Sequence, residues 1–299
     1  MSPSPGLLHG RLGLAASRIP HADRHGLLWL EYGKLSVEDG TLRFVAAHSA
    51  ALDAGDYAIP YQAVSMILLG PGTSLTQDVL RLCARHGTLI AAVGDGGVKS
   101  YTAPPMGQGH SALARAHAKH WADPKQRLDT ARRLYAWRFG RVFPHRDIET
   151  LRGIEGARLK ESYRLVAQRY GIDWHGRRYD RQNPNAADLP NQAINHAATF
   201  VEAAADIAVA AVGALPPLGF IHEDSSNAFT LDIADLYRVD VILPLAFGVV
   251  RAHAAGKVEN IEREVRYSAA KLFRQQKLIP RMIDRIKELF DVNDRDSDA

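Results

Sequence analysis

A single cysteine, Cys83, in 299 residues excludes an internal disulfide framework and any zinc site built from cysteines alone. Val79, Leu80 and Leu82 accompany it at helical spacing, which makes it a packing residue. No His-Glu-x-x-His string occurs, so a zinc hydrolase of that design is excluded. The glycine-rich stretch at 70–74 lacks the lysine of a phosphate-cradling loop. Long apolar runs are missing as well. The stretch 197–221 is interrupted by Glu202 and Asp206, and 239–250 by Asp240 and Pro244, so neither reads as a membrane span. Residues 1–14 carry Pro3 and Pro5 and no sustained apolar core, unlike a signal peptide. A cytoplasmic protein that does not engage a membrane is expected. No internal repeat is found.

The chain is 46% apolar, which suffices for a sizeable core, and its formal charge is +4. That charge is segregated. Between Arg115 and Arg181 stand 17 Lys and Arg against 8 Asp and Glu, a net of +9 that leaves about −5 elsewhere. Such a stretch suits a polyanion, because each phosphate neutralised releases counterions. A solvated helical surface would have the same composition.

The first hundred residues read as short strands, at 28–31, 42–46, 63–69, 89–93 and 98–101. Asp39-Gly40 and the run 94–97 are hairpin turns between them. Ser74 with Gln77 three residues on forms a capping box for a helix at 74–86, whose Leu75, Val79, Leu82 and Cys83 recur at helical spacing. Pro104, Pro105, Gly107 and Gly109 mark 103–110 as a linker. Helical patterns follow, amphipathic at 128–139 and 154–170 and apolar nearly all round at 197–212, the expected buried central helix. Residues 177–190 read as an exposed loop, and the acidic 291–299 as a frayed tail. The expected class is α+β: a small β-rich N-terminal domain (1–102), then a larger all-α catalytic domain (111–290).

Asp232 and Asp235 stand three residues apart, on one face of a helix, ten residues after His222, which follows the turn Pro216-Pro217-Leu218-Gly219. Two carboxylates and an imidazole suit a divalent ion that accepts mixed oxygen and nitrogen ligands. Acidic pairs at this spacing are common, and a histidine beside a turn is as readily a hydrogen-bonded structural residue. Glu155 lies between Gly153 and Gly156 in the most basic part of the chain, where small neighbours let a backbone or phosphate approach. An exposed glutamate near a helix start, favoured by the dipole, is the simpler reading of that residue alone. Ser225, near His222, lacks the strand-turn-helix elbow of a nucleophile.

The runs Leu151-Arg152-Gly153-Ile154-Glu155-Gly156-Ala157-Arg158, Gly219-Phe220-Ile221-His222 and Leu231-Asp232-Ile233-Ala234-Asp235 occur in an order that resembles the CRISPR-associated spacer-acquisition integrases, the larger adaptation subunit. Ile59-Pro60-Tyr61 and Leu69-Gly70-Pro71-Gly72-Thr73 add to the likeness, which covers roughly 11–280. The string Gly176-Arg177-Arg178-Tyr179-Asp180 points to the type I-E branch. The resemblance implies a Mg²⁺ or Mn²⁺ ion held by Glu155, His222 and Asp235, with Asp232 as a supporting acidic residue. It also implies a homodimer that assembles with the small second adaptation subunit and carries double-stranded DNA with single-stranded 3′ ends. The activity implied is transesterification, in which the 3′ hydroxyls of short duplexes are joined to repeat-array DNA. Arg158, Lys160, Arg164, Arg177 and Arg178 are the candidate phosphate contacts. Tyr32 matches an aromatic position that stacks on an unpaired base, and a half-buried strand tyrosine would look the same. Two alternatives stay open: a divalent-metal nuclease acting on branched DNA in repair, and a non-catalytic nucleic-acid scaffold.

Overall fold

The computed structural model describes residues 27–48, 52–102, 111–142, 148–178 and 187–291. They form two compact units that divide between Ile90 and Ala91. The first is rich in strands and the second almost wholly helical, the α+β arrangement expected from the sequence. Residues 91–102, read from the sequence with the strands, group with the helices. The proposed linker 103–110 and most of the 291–299 tail lie outside the described residues.

The chain runs β1 (Leu27–Leu30), β2 (Gly33–Glu38), β3 (Thr41–Ala46), β4 (Gly55–Ile59), β5 (Met66–Leu69), β6 (Thr73–Leu75) and α1 (Gln77–His86) into β7 (Leu89–Ala92), within which the first unit ends. A four-stranded sheet has the order β4-β3-β2-β6, and a three-stranded one the order β1-β5-β7. β2 and β3 are antiparallel with Glu38 opposite Thr41, so Asp39-Gly40 is the two-residue turn. Both turn residues have positive φ, 48° and 76°, as the twist-matched hairpin turn requires. Leu35, Leu42 and Phe44 alternate inward and close the core with Val79 and Cys83 of α1. At Gly33 no larger residue fits, since a Cβ there would stand 2.5 Å from both the Phe44 ring and the Val45 carbonyl.

The capping box at Ser74 is not formed. Ser74 lies in β6 opposite Lys34 of β2, and the N-cap of α1 is Thr76, two residues later. The competing interaction is a parallel strand pairing that local sequence does not encode. Strands β2, β4 and β6 were absent from the sequence reading, whereas 98–101 contributes only the bridge Val93–Ser100.

The second unit contains α2 (Ala112–Ala122), α3 (Pro124–Phe139), α4 (Ile148–Tyr170), α5 (Leu189–Ala211), α6 (Ala228–Asp235), α7 (Leu243–Ala254), α8 (Ile261–Gln276) and α9 (Leu278–Leu289). Three of the described helix starts carry side-chain caps. Asp123 accepts from Gln126 N, Asp188 from Asn191 N and Asn260 from Arg263 N. Pro124 and Pro190 occupy the first turns of α3 and α5, where a missing N–H costs nothing. Leu189 and Pro190 are therefore helical, a correction to the 177–190 loop, of which 179–186 lie outside the described residues.

Helix α5 is the central one, as its composition predicts. Ile194, Ala197, Val201, Ala204, Ala205 and Ala208 are fully buried, and α6, α7, α8 and α9 pack around it. Its many alanines let these neighbours approach closely. Helix α4 packs against α3 and α7. A short turn, Asp95–Gly97, sits on α8 so tightly that a Cβ at Gly96 would meet the Ala270 backbone at 2.5 Å. None of the described helices is long and apolar enough to cross a membrane.

Candidate active site

The loop between α5 and α6 is held from three sides. His117 of α2 is fully buried, with Nδ1 accepting from Leu215 N at 3.2 Å and Nε2 facing the Leu218 carbonyl at 2.7 Å. An acceptor role at Nδ1 puts the proton on Nε2, which donates to Leu218. Burial pushes this imidazole down to about 4, against the opposing pull of the Leu218 carbonyl, so it is neutral near pH 7. Trp121 Nε1 donates to the Gly219 carbonyl at 3.0 Å and Arg152 Nη2 to that of Ile221 at 2.9 Å. Phe220 fills the space between His117, Phe229 and Phe290. Gly219 is obligatory, because an added Cβ would collide with the His222 carbonyl.

Asp232, on α6 and 1% exposed, is the hub of this loop. Its carboxylate accepts from the backbone N–H groups of Phe220 (2.6 Å), Ile221 (3.1 Å) and His222 (3.0 Å). It also accepts from His222 Nδ1 at 2.7 Å. Three successive amides and an imidazole N–H satisfy a buried anion that would otherwise be costly. The arrangement also fixes the tautomer. With Nδ1–H committed to Asp232, Nε2 is the nitrogen left to bind a proton or an ion, and it stands 3.9 Å from Asp235 Oδ2. Burial works against protonation of His222, and the Asp232 hydrogen bond with the charges of Asp232, Asp235 and Glu155 outweighs it, raising its affinity for a proton.

Asp235, one helical turn further on, is 7% exposed. Burial pushes its carboxyl up, and Arg238, Arg138 and His222 more than cancel that, so it stays below the usual carboxylate range. Arg238 binds Oδ1 through Nε at 2.9 Å and also contacts it through Nη2, while its Nη1 donates to the Tyr163 hydroxyl at 3.3 Å. Arg138 of α3 approaches the other oxygen, Nη2 to Oδ2 at 3.3 Å, and pairs through Nη1 with Glu155 Oε1. Tyr135 donates to Glu155 Oε2 at 2.9 Å.

Glu155, His222, Asp232 and Asp235 thus join one network of the helical unit, although the first stands far from the others in sequence. Glu155 is linked to Asp235 only through Arg138. Among the described residues no three histidine, cysteine, aspartate or glutamate side chains are placed to hold an ion as they stand. Nor is Glu155 at a helix start: α4 begins at Ile148. Cβ atoms added at Gly153 or Gly156 would meet nothing within 4 Å, so α4 offers a smooth, open surface on both sides of it.

The predicted phosphate contacts are spread along the same helix and the segment after it. Arg158 is half-buried with its guanidinium 6.0 Å from the Phe139 ring. Lys160 is exposed, and Arg164 is exposed and paired with Glu161 at 2.6 Å. Arg177 is committed to α5, donating to Asn191 at 3.0 Å and Asn195 at 2.6 Å. The exposed Arg178 donates its backbone N–H to Asn191 at 3.0 Å. Tyr32 belongs to the strand unit. It is 48% exposed at a corner with φ of 54°, held by its N–H to the Pro71 carbonyl at 2.9 Å and by Ala47 N on its own carbonyl at 2.7 Å. A non-glycine residue in that conformation is strained. Tyr135, Arg138, Arg238 and the His117 clamp were not read from the sequence. The spacings Tyr135–Arg138 and Asp235–Arg238, both three residues, were the available signals.

Comparison with known proteins fits this architecture. The family profile described as CRISPR associated protein Cas1 matches residues 27–141 and 135–257. The CRISPR-associated endonuclease Cas1 1 of Rhodospirillum rubrum is 34% identical over 89% of this chain and 85% of its own length. The CRISPR-associated endonuclease Cas1 of Escherichia coli K12 is 34% identical over 92% of this chain and 88% of its own. Among solved structures, a TtCas1–DNA complex superposes with a TM-score of 0.79 at 33% identity, covering 90% of this chain and 97% of that one. Matches of this identity and extent place the chain in the Cas1 family of CRISPR-associated proteins.

Proposed function

We propose that the chain is a metal-dependent DNA integrase of CRISPR adaptation, which joins 3′ hydroxyl ends of short duplexes to repeat-array DNA by transesterification. The observation that carries this reading is the Asp232–His222–Asp235 arrangement, in which a buried carboxylate holds Nδ1 of an imidazole and leaves Nε2 beside a second carboxylate. That is how metal-ligating histidines are usually oriented. Two carboxylates and one imidazole match the donor chemistry of Mg²⁺ or Mn²⁺. Glu155, His222 Nε2 and Asp235 would hold the ion, which when bound supplies Lewis-acid polarisation of the attacked phosphate.

The chain's own residues do the rest. Asp232 keeps the His222 ring in register, and the His117 and Trp121 clamp keeps the loop in place. Arg238 retains a fixed positive charge beside Asp235, where negative charge gathers in phosphoryl transfer. Arg158, Lys160, Arg164, Arg177 and Arg178 would meet phosphates without reading bases, which suits an enzyme that must accept many spacer sequences. Tyr32 would stack on an unpaired base at a duplex end. The DNA complex of a relative supports DNA as substrate. A homodimer assembled with the small second adaptation subunit belongs to the same proposal and rests on the family resemblance; action in the cytoplasm belongs to it too and rests on the sequence's N-terminal composition.

The endonuclease names of the relatives favour a second reading, in which water replaces the 3′ hydroxyl. A plasmid bearing a repeat array separates the two: joined products support the integrase, and cleavage without joining supports the nuclease. His222→Ala should abolish joining while DNA retention stays within about twofold. Joining by His222→Ala at the wild-type rate, or full joining in excess chelator, contradicts the metal reading.

A further inference from the structure

We propose that Arg138 and the divalent ion are alternative counter-ions for the Glu155–Asp235 pair, so that this arginine sets the affinity of the site. The inference rests on the metal reading above and concerns a residue that reading does not use.

The two oxygens of Asp235 are not equivalent. Oδ1 is taken by Arg238, whose Nη1 is also satisfied by Tyr163. Oδ2 is the oxygen nearer both His222 Nε2, at 3.9 Å, and Arg138 Nη2, at 3.3 Å. An ion shared by His222 and Asp235 would use Oδ2, the same atom that Arg138 contacts. Glu155 repeats the conflict, because Arg138 Nη1 pairs with its Oε1.

Arg138 is also poorly served where it lies. Its side chain is 2% exposed, and its Nε and Nη2 have no hydrogen-bond partner. Apart from the hydrogen bond from Nη1 to Glu155 Oε1, this buried guanidinium is held by charge. Arg238, by contrast, is hydrogen-bonded on both sides.

Coupling of this kind typically amounts to about 5- to 150-fold in affinity. Mn²⁺ titration by calorimetry, with melting temperatures recorded in EDTA and in Mn²⁺, tests it on the full chain. Arg138→Gln should bind Mn²⁺ about tenfold more tightly than wild type, melt lower in EDTA and gain more from Mn²⁺. Arg138→Lys, which keeps the charge but cannot span both carboxylates, should tighten binding by a smaller factor and serves if the Gln variant does not fold. His222→Ala should lose the wild-type binding. If wild type binds Mn²⁺ through His222 and both Arg138 variants bind it equally or more weakly, Arg138 is a structural ion pair and the proposal is overturned. If wild type shows no His222-dependent binding, the metal reading itself fails, and this inference with it.

Discussion

The strand unit closes its core with Leu35, Leu42, Phe44, Val79 and Cys83 and, among the described residues, buries no aspartate, glutamate, lysine or arginine, whereas the helical unit buries Arg138, Asp232 and Asp235. The buried polar residues of the first, His86 and Thr88, carry no carboxylate or guanidinium. Burial pushes its Cys83 thiol up to about 11, which keeps it protonated and inert. The second accepts ionised groups in its interior and surrounds each with hydrogen bonds or opposite charge, at a cost to stability that apolar residues would avoid. Buried charges clustered around an imidazole mark a candidate site.

Substitutions on either side of this contrast should behave differently. Asp232→Ala removes the acceptor of four hydrogen bonds and should have the largest effect, destabilising the protein by about 3–5 kcal/mol. It should also lower joining activity or Mn²⁺ affinity by about 10- to 100-fold. Denaturant melts and metal titration read the two losses separately. Phe44→Ala, in the strand core, should cost a similar 3–5 kcal/mol or so while the Mn²⁺ isotherm of the folded protein is unchanged. A shifted isotherm would mean that the site depends on the strand core, which would break the contrast.

His117 gives a third test through pH. Its folded pKa, about 4, lies below the unfolded value near 6.5, so the stability it contributes is complete above the unfolded value. That contribution is lost as pH falls toward about 4. The loss amounts to roughly 3 kcal/mol. His117→Gln, which can still donate to the Leu218 carbonyl, should flatten that part of the stability–pH curve. An equally steep decline in the variant would assign acid sensitivity elsewhere. The smallest effect is expected at Gly40, whose φ of 76° has open space around it. Gly40→Ala should cost about 1 kcal/mol from backbone conformation alone and leave the site untouched.

These differences also explain what the sequence could reveal. Asp39-Gly40 was legible because a two-residue hairpin turn demands positive φ, and few residues supply it. Helix α5 was legible because an apolar, alanine-rich stretch of that length has no other use in a globular chain. Asp232 and Asp235 announced themselves by spacing, and His222 by its place after a proline turn. The partners of those residues did not. Arg138 and Tyr135 meet Glu155 only when α3 and α4 pack together, and nothing in an amphipathic helix marks which arginine turns inward. Strand β4 alternates half-buried and exposed residues and buries only Ile59 over five positions, too short to stand out. Strand β6 exists because β2 lies beside it, a long-range pairing that overrode the capping signal at Ser74.

The central claim is that Glu155, His222 and Asp235 close around one divalent ion. Anomalous diffraction from crystals equilibrated with Mn²⁺ tests it directly. The account predicts one peak roughly 2–2.6 Å from His222 Nε2 and from oxygens of Asp235 and Glu155, with Arg138 withdrawn from Asp235 Oδ2. A peak elsewhere, or none while Arg138 still bridges the two carboxylates, would contradict it.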